Sequence, residues 1–303
     1  MFALLLLTTL PLFGLVFVGF TLGKFSIFDY LDAKVFLKLI GLLVVPALGI
    51  KIIGGFNYQY IKWDLYFLYL ASQSLIYLIG FFIGKLIFKR SNTESLIIGM
   101  TSAFSNHLFF VYPIALFEFG TKDIVPIETI ISADFITVGL SVCALDIATQ
   151  KYINFKNILI KQIKNPALIG LLLGLIVFFT QVDLPLSFSR LIDFICDTGT
   201  PCALIAMGIL LSYKTSKDEI KLSLIISLLK ILIFPLILFF VILFFGYDLI
   251  VSKTTMMVAA APIGAMGLVF ASIYNVKTDA LVRAGIFTYI LSIIGIPMIG
   301  SFE

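Results

Sequence analysis

The sequence predicts an all-α polytopic membrane protein of ten transmembrane helices in a 5+5 inverted repeat, and three observations predict it. Of 303 residues, 61% are hydrophobic and 13% charged, where a soluble domain carries roughly 25% charged residues. Isoleucine, leucine and phenylalanine fill long blocks, each near the roughly 20 residues that cross about 30 Å of hydrocarbon. A shift of 155 residues lays Pro11 on Pro166, Gly19 on Gly174, Pro46 on Pro201, and the loop Gly120 to Asp123 on Asn275 to Thr278. Five spans per half is an odd number, so the second half enters the membrane from the opposite face, a feature of secondary transporters. Chance coincidence of prolines is the competing explanation.

The spans read, in order, as 3–22, 33–54, 65–88, 95–119, 126–147, 166–181, 188–212, 220–245, 254–274 and 281–300. The first has no Lys or Arg before it and is too long for a signal peptide, so it is read as a retained helix. The organisation is a first repeat at 1–148, a cytoplasmic linker at 149–165 and a second repeat at 166–303. Loops after odd-numbered spans hold fourteen basic residues and those after even-numbered spans hold five. The positive-inside rule then places the odd loops in the cytoplasm and both termini outside an inner membrane. Lys38 and Lys230 complete the count, both assigned near the cytoplasmic side.

Several function classes fall away. The net charge of +4 sits in short loops, where it orients spans rather than binding nucleic acid. Cys143, Cys196 and Cys202 show neither metal-ligand nor disulfide spacing, so buried thiols are expected, with no metal and no cofactor. No Gly-x-x-x-x-Gly-Lys-Ser/Thr loop marks an ATP-driven pump. An intramembrane protease would need a serine–histidine pair or two intramembrane aspartates with Gly-x-Gly-Asp, and an enzyme is not expected. A sensor or scaffold without flux stays open to a liposome assay.

The stretches Leu10-Pro11-Leu12-Phe13-Gly14, Val45-Pro46-Ala47-Leu48 and Asn165-Pro166-Ala167-Leu168-Ile169-Gly170 resemble the auxin efflux carrier family. So do Thr200-Pro201-Cys202-Ala203-Leu204 with Met207-Gly208, and Ala260-Ala261-Pro262 followed by Tyr274-Asn275. The likeness covers essentially the whole chain; its specificity lies in the order and spacing of the motifs. It implies spans one, two, six and seven as scaffold, with spans three to five and eight to ten as a mobile, elevator-type transport unit. Spans four and nine would unwind and cross near the midplane. Bacterial members are similar to permeases for small organic acids such as malate and malonate, and the long loop of the plant hormone carriers is missing here. The resemblance implies a small organic anion as partner, proton or sodium as coupling ion, the lipid bilayer and a homodimer. A sodium-coupled bile-acid-type symporter or a cation/proton antiporter is the rival within transport; an antiporter would favour paired acidic residues at the crossing.

Candidate site residues follow from polarity inside the spans. Pro113 removes a helix donor and is expected to break span four, just after Asn106 and His107. A broken helix offers a half-helix N-terminus suited to an anion. Asn106 matches the family's crossover Asn, which there helps bind the substrate carboxylate. The glycines usual after it are replaced by His107, Leu108 and Val111, implying a stiffer stretch or a smaller pocket; an interhelical hydrogen bond is the plainer role. His107, the only histidine, is either a proton sensor or a hydrogen-bonded core residue. In span nine, Pro262, Gly264 and Gly267 suit a crossing or simple kinked packing; the repeat shift aligns Pro262 with His107, not with Pro113. Asp134 lies deep in span five, where a carboxylate costs several kcal/mol, and is read as a proton or cation coupling site or a structural hydrogen-bonding group. Ser72 and Gln73 of span three, with Ser74 beside them, are the next polar lining. Glu118, Asp146, Asp193 and Asp197, near span ends, are expected to be solvated.

Overall fold

A computed structural model describes residues 1–55, 62–120, 124–149, 165–213 and 216–301. The interior of the expected linker, 150–164, and the loop residues Lys122, Asp123 and Lys214 lie outside the described residues. The described chain is all-helical, with twelve helices besides a short turn at Lys217–Glu219. They are α1 (Phe2–Lys24), α2 (Tyr30–Gly54), α3 (Trp63–Ile87), α4 (Asn92–Ala103), α5 (His107–Phe119) and α6 (Val125–Thr149). The second set is α7 (Pro166–Thr180), α8 (Leu186–Leu211), α9 (Ile220–Phe244), α10 (Leu249–Ala260), α11 (Met266–Ile273) and α12 (Asp279–Gly300). Seven of these, α1, α2, α3, α6, α8, α9 and α12, are long and apolar enough to cross a membrane. Phe17, Phe179, Phe194 and Phe244 stand exposed on their flanks, a surface that suits lipid.

Short polar residues set where several helices start. Asp29 and Asp32 form a reciprocal cap at α2, and Ser91 and Glu94 form another at α4. Asn165 and Asp248 accept from the first turns of α7 and α10. Each satisfies N–H groups that a helix start leaves without an intrahelical partner.

Pro113 does not break span four as the sequence predicts. Span four is interrupted at 104–106, seven residues before the expected breaker, and Pro113 lies inside α5. A π-helical turn at His107–Val111 precedes it. The same device recurs at Ile40–Val44 before Pro46 and at Leu229–Ile233 before Pro235. In each, the residue preceding the proline bonds to the carbonyl five residues back, so the widened turn makes room for the ring while the helix continues.

The real interruptions have two different causes. Pro262 disfavours helical geometry in the residue before it, and Ala261 is extended, at φ −65° and ψ 153°, ending α10. Nothing comparable in sequence ends α4; Phe104 turns extended because the two broken stretches pair. Asn106 N donates to Pro262 O at 2.9 Å, Gly264 N points to Phe104 O at 3.4 Å, and Ser105 and Ile263 form an antiparallel bridge. In the bilayer core such groups would otherwise be unsatisfied.

Two close helix contacts flank this crossing. In α1 against α8, a Cβ on Gly208 would overlap the Val16 carbonyl oxygen, and one on Gly19 would overlap that of Ile205. In α2 against α7, a Cβ on Gly49 would lie 2.6 Å from the Gly170 carbonyl carbon, and one on Gly170 would lie 2.5 Å from the Pro46 Cα. Small residues let backbones approach this closely where lipid supplies no hydrophobic drive between helices. Gly14, by contrast, has nothing within 4 Å of its Cβ position. Gly208→Val should therefore destabilise the purified protein by at least the roughly 1–3 kcal/mol typical of overpacking, read as a lowered melting temperature. Gly14→Ala should leave it unchanged or slightly raised, and equal melting temperatures for both variants would refute this packing account.

Candidate functional site

The crossing opens on one side into a cavity of about 200 Å³, far above the ~10–15 Å³ that a single water requires. Asn106, His107, Asp134 and Gly264 all line it, with Ser105, Leu108, Phe109 and Met266. It shares Leu37, Gly41, Val45, Val138, Ala167, Met266 and Val269 with a larger vestibule of about 690 Å³ that reaches Tyr30, Lys34 and Lys38. The starts of α5 and α11 border the cavity through Leu108 and Phe109 and through Ala265 and Met266. Two half-helix N-termini, each worth about half a positive charge, therefore border one pocket whose walls are otherwise mostly apolar.

His107 and Asp134 meet at its wall, with Nε2 3.3 Å from Oδ2. Asp134 Oδ1 also receives the Thr137 hydroxyl at 3.1 Å. His107 Nδ1 lies 3.1 Å from the Ser105 carbonyl oxygen, which can only accept, so Nδ1 must carry a proton. In the neutral ring Nε2 then has only a lone pair, and its approach to a carboxylate oxygen needs a proton between them. The contact thus holds one shared proton, residing formally on either partner. Behind it, the Tyr69 hydroxyl lies against that of Ser105 and the Gln73 amide against Asp134. These neighbours fall outside strict hydrogen-bond geometry: Tyr69 Oη, Ser105 Oγ and Gln73 Nε2 are all buried without a geometrically sound partner.

Asn106 is buried and donates through Nδ2 to the Tyr289 hydroxyl of α12 at 2.8 Å. Its second amide hydrogen remains for another acceptor. The other sequence candidates scatter. Pro262 contributes its carbonyl to the pairing, while Gly267 packs so closely on α4 that a Cβ would overlap the Thr101 hydroxyl. Ser72 is spent on its own helix, donating to Leu68 O at 2.8 Å. Gln73 lines a separate lateral cleft with Ser74, Tyr77 and Thr137, and Pro113 lines none of these spaces.

Two placements correct the sequence reading. Lys230, assigned to the cytoplasmic side, is fully buried at the crossing, its Nζ donating to the Ala259 carbonyl at the end of α10. Asp146, expected to be solvated, is 4% exposed and accepts from the Tyr274 hydroxyl at 2.9 Å. Glu118 stays partly exposed while accepting from the hydroxyl of Thr8. The expectation of solvation holds better for Asp193, paired with Lys51 at 2.6 Å on a half-exposed surface. Tyr289 and Tyr69 were not foreseen at all, since a tyrosine in an apolar span carries no signal of facing another span.

Residues 151–299 match the family model described as membrane transport protein. Over 294 residues the chain is 24% identical to a protein of Rhizobium meliloti (strain 1021) named "Putative malonate transporter", an alignment that covers 94% of this chain and 91% of that protein. Residues 151–299 are thus similar to membrane transport proteins, the family of the auxin efflux carriers, and the seven long apolar helices are those of a multi-pass membrane protein.

Proposed function

We propose that the protein is a secondary active transporter that binds a small organic anion, of the malonate or malate class, at the crossing and couples its movement to a proton held by His107 and Asp134. The observation that carries this reading is the convergence of two half-helix N-termini and Asn106 on one cavity that also contains that proton-sharing pair. Helix N-termini favour anions, and Lys34 and Lys38 in the vestibule add long-range attraction. The malonate class is favoured by the named relative. The sodium-coupled and antiporter rivals are disfavoured by a single intramembrane carboxylate at the crossing among the described residues, already engaged with an imidazole.

The ten-span, inverted-repeat arrangement belongs to the same proposal. Counting α4 with α5 and α10 with α11 as broken spans gives ten crossings. The contact of α1 with α8 and that of α2 with α7 exchange under the 155-residue shift, with Gly19 and Gly174 in equivalent places. Elevator motion would carry α3–α6 and α9–α12 against α1, α2, α7 and α8. With the odd loops inside, the vestibule at Lys34 and Lys38 opens to the cytoplasm. A cysteine replacing Asp183, between α7 and α8, should react in intact cells with an impermeant thiol reagent, and one replacing Lys89 should be protected, in a background lacking native cysteines. The reverse pattern would invert the orientation.

Binding is tested with two variants that cut the same hydrogen bond from opposite ends. Asn106→Ala should weaken malonate binding ten- to a hundredfold, about 1.5–3 kcal/mol for a bond to a charged group. Tyr289→Phe should lower the melting temperature by a similar amount while leaving affinity within a few-fold. Matching affinities in the two variants would reduce Asn106 to a strut between helices.

Coupling has its own readout. Asp134→Asn removes the group that takes up and releases the proton, so uphill accumulation in proteoliposomes under an imposed pH gradient should vanish while exchange of internal for external substrate persists. Undiminished uphill transport would remove Asp134 from the mechanism.

A further inference from the structure

Lys230 takes no part in the proposed anion site, yet a lysine buried in a membrane span is among the expensive side chains to place there. It lies ten residues into α9, roughly 15 Å along the helix at 1.5 Å per residue, and is 0% exposed. Among the described residues no carboxylate comes within 4.0 Å of it. What it touches instead is the end of a broken helix: Nζ donates to Ala259 O, one residue before α10 stops at Ala260. The last carbonyls of a helix lack intrahelical partners and carry about half a negative charge. The ring face of Phe234, 4.9 Å from Nζ at its centroid, supplies a second electron-rich surface. Nearby on α10, the Thr255 hydroxyl is 1% exposed and lacks a hydrogen-bond partner among the described residues.

Carbonyls at half-helix C-termini in discontinuous spans are where transporters coordinate a coupling cation such as Na⁺. Here the position is taken by an ammonium that cannot leave. We propose that Lys230 is a tethered replacement for a dissociable monovalent cation at the end of α10, which makes the crossing independent of Na⁺. Lys230 is a positioning residue in this scheme. It neutralises the negative end of α10 and leaves the opposed helix N-termini free to act on the anion. Removing the ammonium should therefore unmask a Na⁺ site rather than merely loosen a helix contact.

The proposal deepens the transport reading but is tested without substrate, so failure of one does not entail failure of the other. The melting temperature of the purified full-length protein is followed as NaCl replaces choline chloride at constant ionic strength, with KCl as a second control. Wild type should be insensitive to the exchange. Lys230→Ser, which leaves a small polar gap beside Ala259 O, should melt lower in choline and recover roughly 2–4 °C or more, saturably and with Na⁺ preferred. Lys230→Met keeps the apolar stem but not the charge, and should melt lower without recovery in any salt. A saturable Na⁺-specific rise in wild type would overturn the proposal, as would wild-type stability in Lys230→Met or a Na⁺-insensitive Lys230→Ser. Should Lys230→Ser not fold, the wild-type and Lys230→Met results decide alone.

Discussion

The pairing of two unwound backbone stretches in the middle of the helix bundle is the interaction on which the rest of this structure depends. A bilayer offers no water to an N–H or C=O that leaves a helix, and each unsatisfied group there costs several kcal/mol. Here the stretches 104–106 and 261–265 answer that constraint together, through Asn106 N on Pro262 O and the Ser105–Ile263 bridge. Neither break would be tolerable alone. Pairing them fixes four helix ends at one place, and those ends supply a partial charge of each sign.

Much of the local chemistry reads as a response to those charges. The two N-termini border the open cavity with its His107–Asp134 pair, whereas Lys230, which does not line that cavity, caps the C-terminal end of α10. The close contacts of α1 with α8 and α2 with α7 give this arrangement a tightly packed frame, because glycine lets the backbones themselves meet. A frame of that kind resists deformation, as the proposed elevator motion requires of its fixed part.

The shared proton between His107 and Asp134 gives the proposed coupling a physical basis. With Nδ1–H committed to the Ser105 carbonyl, Nε2 can face Asp134 closely only while one proton lies between them. Removing it sets a lone pair against a carboxylate, and that repulsion would push the pair apart at the edge of the cavity. Proton occupancy and cavity geometry are thereby linked through a single contact, without any additional moving part.

By itself the sequence determined the membrane class, because 61% hydrophobic residues in blocks of span length cannot be buried in one soluble core. It pointed to the second break too, since Pro262 disfavours helical geometry in the residue before it, although a kinked helix was equally compatible with the sequence. Asn106, His107 and Asp134 were legible as polar residues too costly to place in lipid without a purpose. Only the tertiary structure decided the rest. Pro113 looked like a breaker, but a widened turn absorbs it, and α4 stops at Ala103 because its next residues find partners in another span. Lys230 counted as one more orienting charge until packing placed it against Ala259, and Tyr289 was an ordinary span residue until it met Asn106 from 183 positions away. Helical periodicity and composition act over one turn or one span, whereas these contacts join spans far apart in the chain, and no local signal encodes which of them will meet.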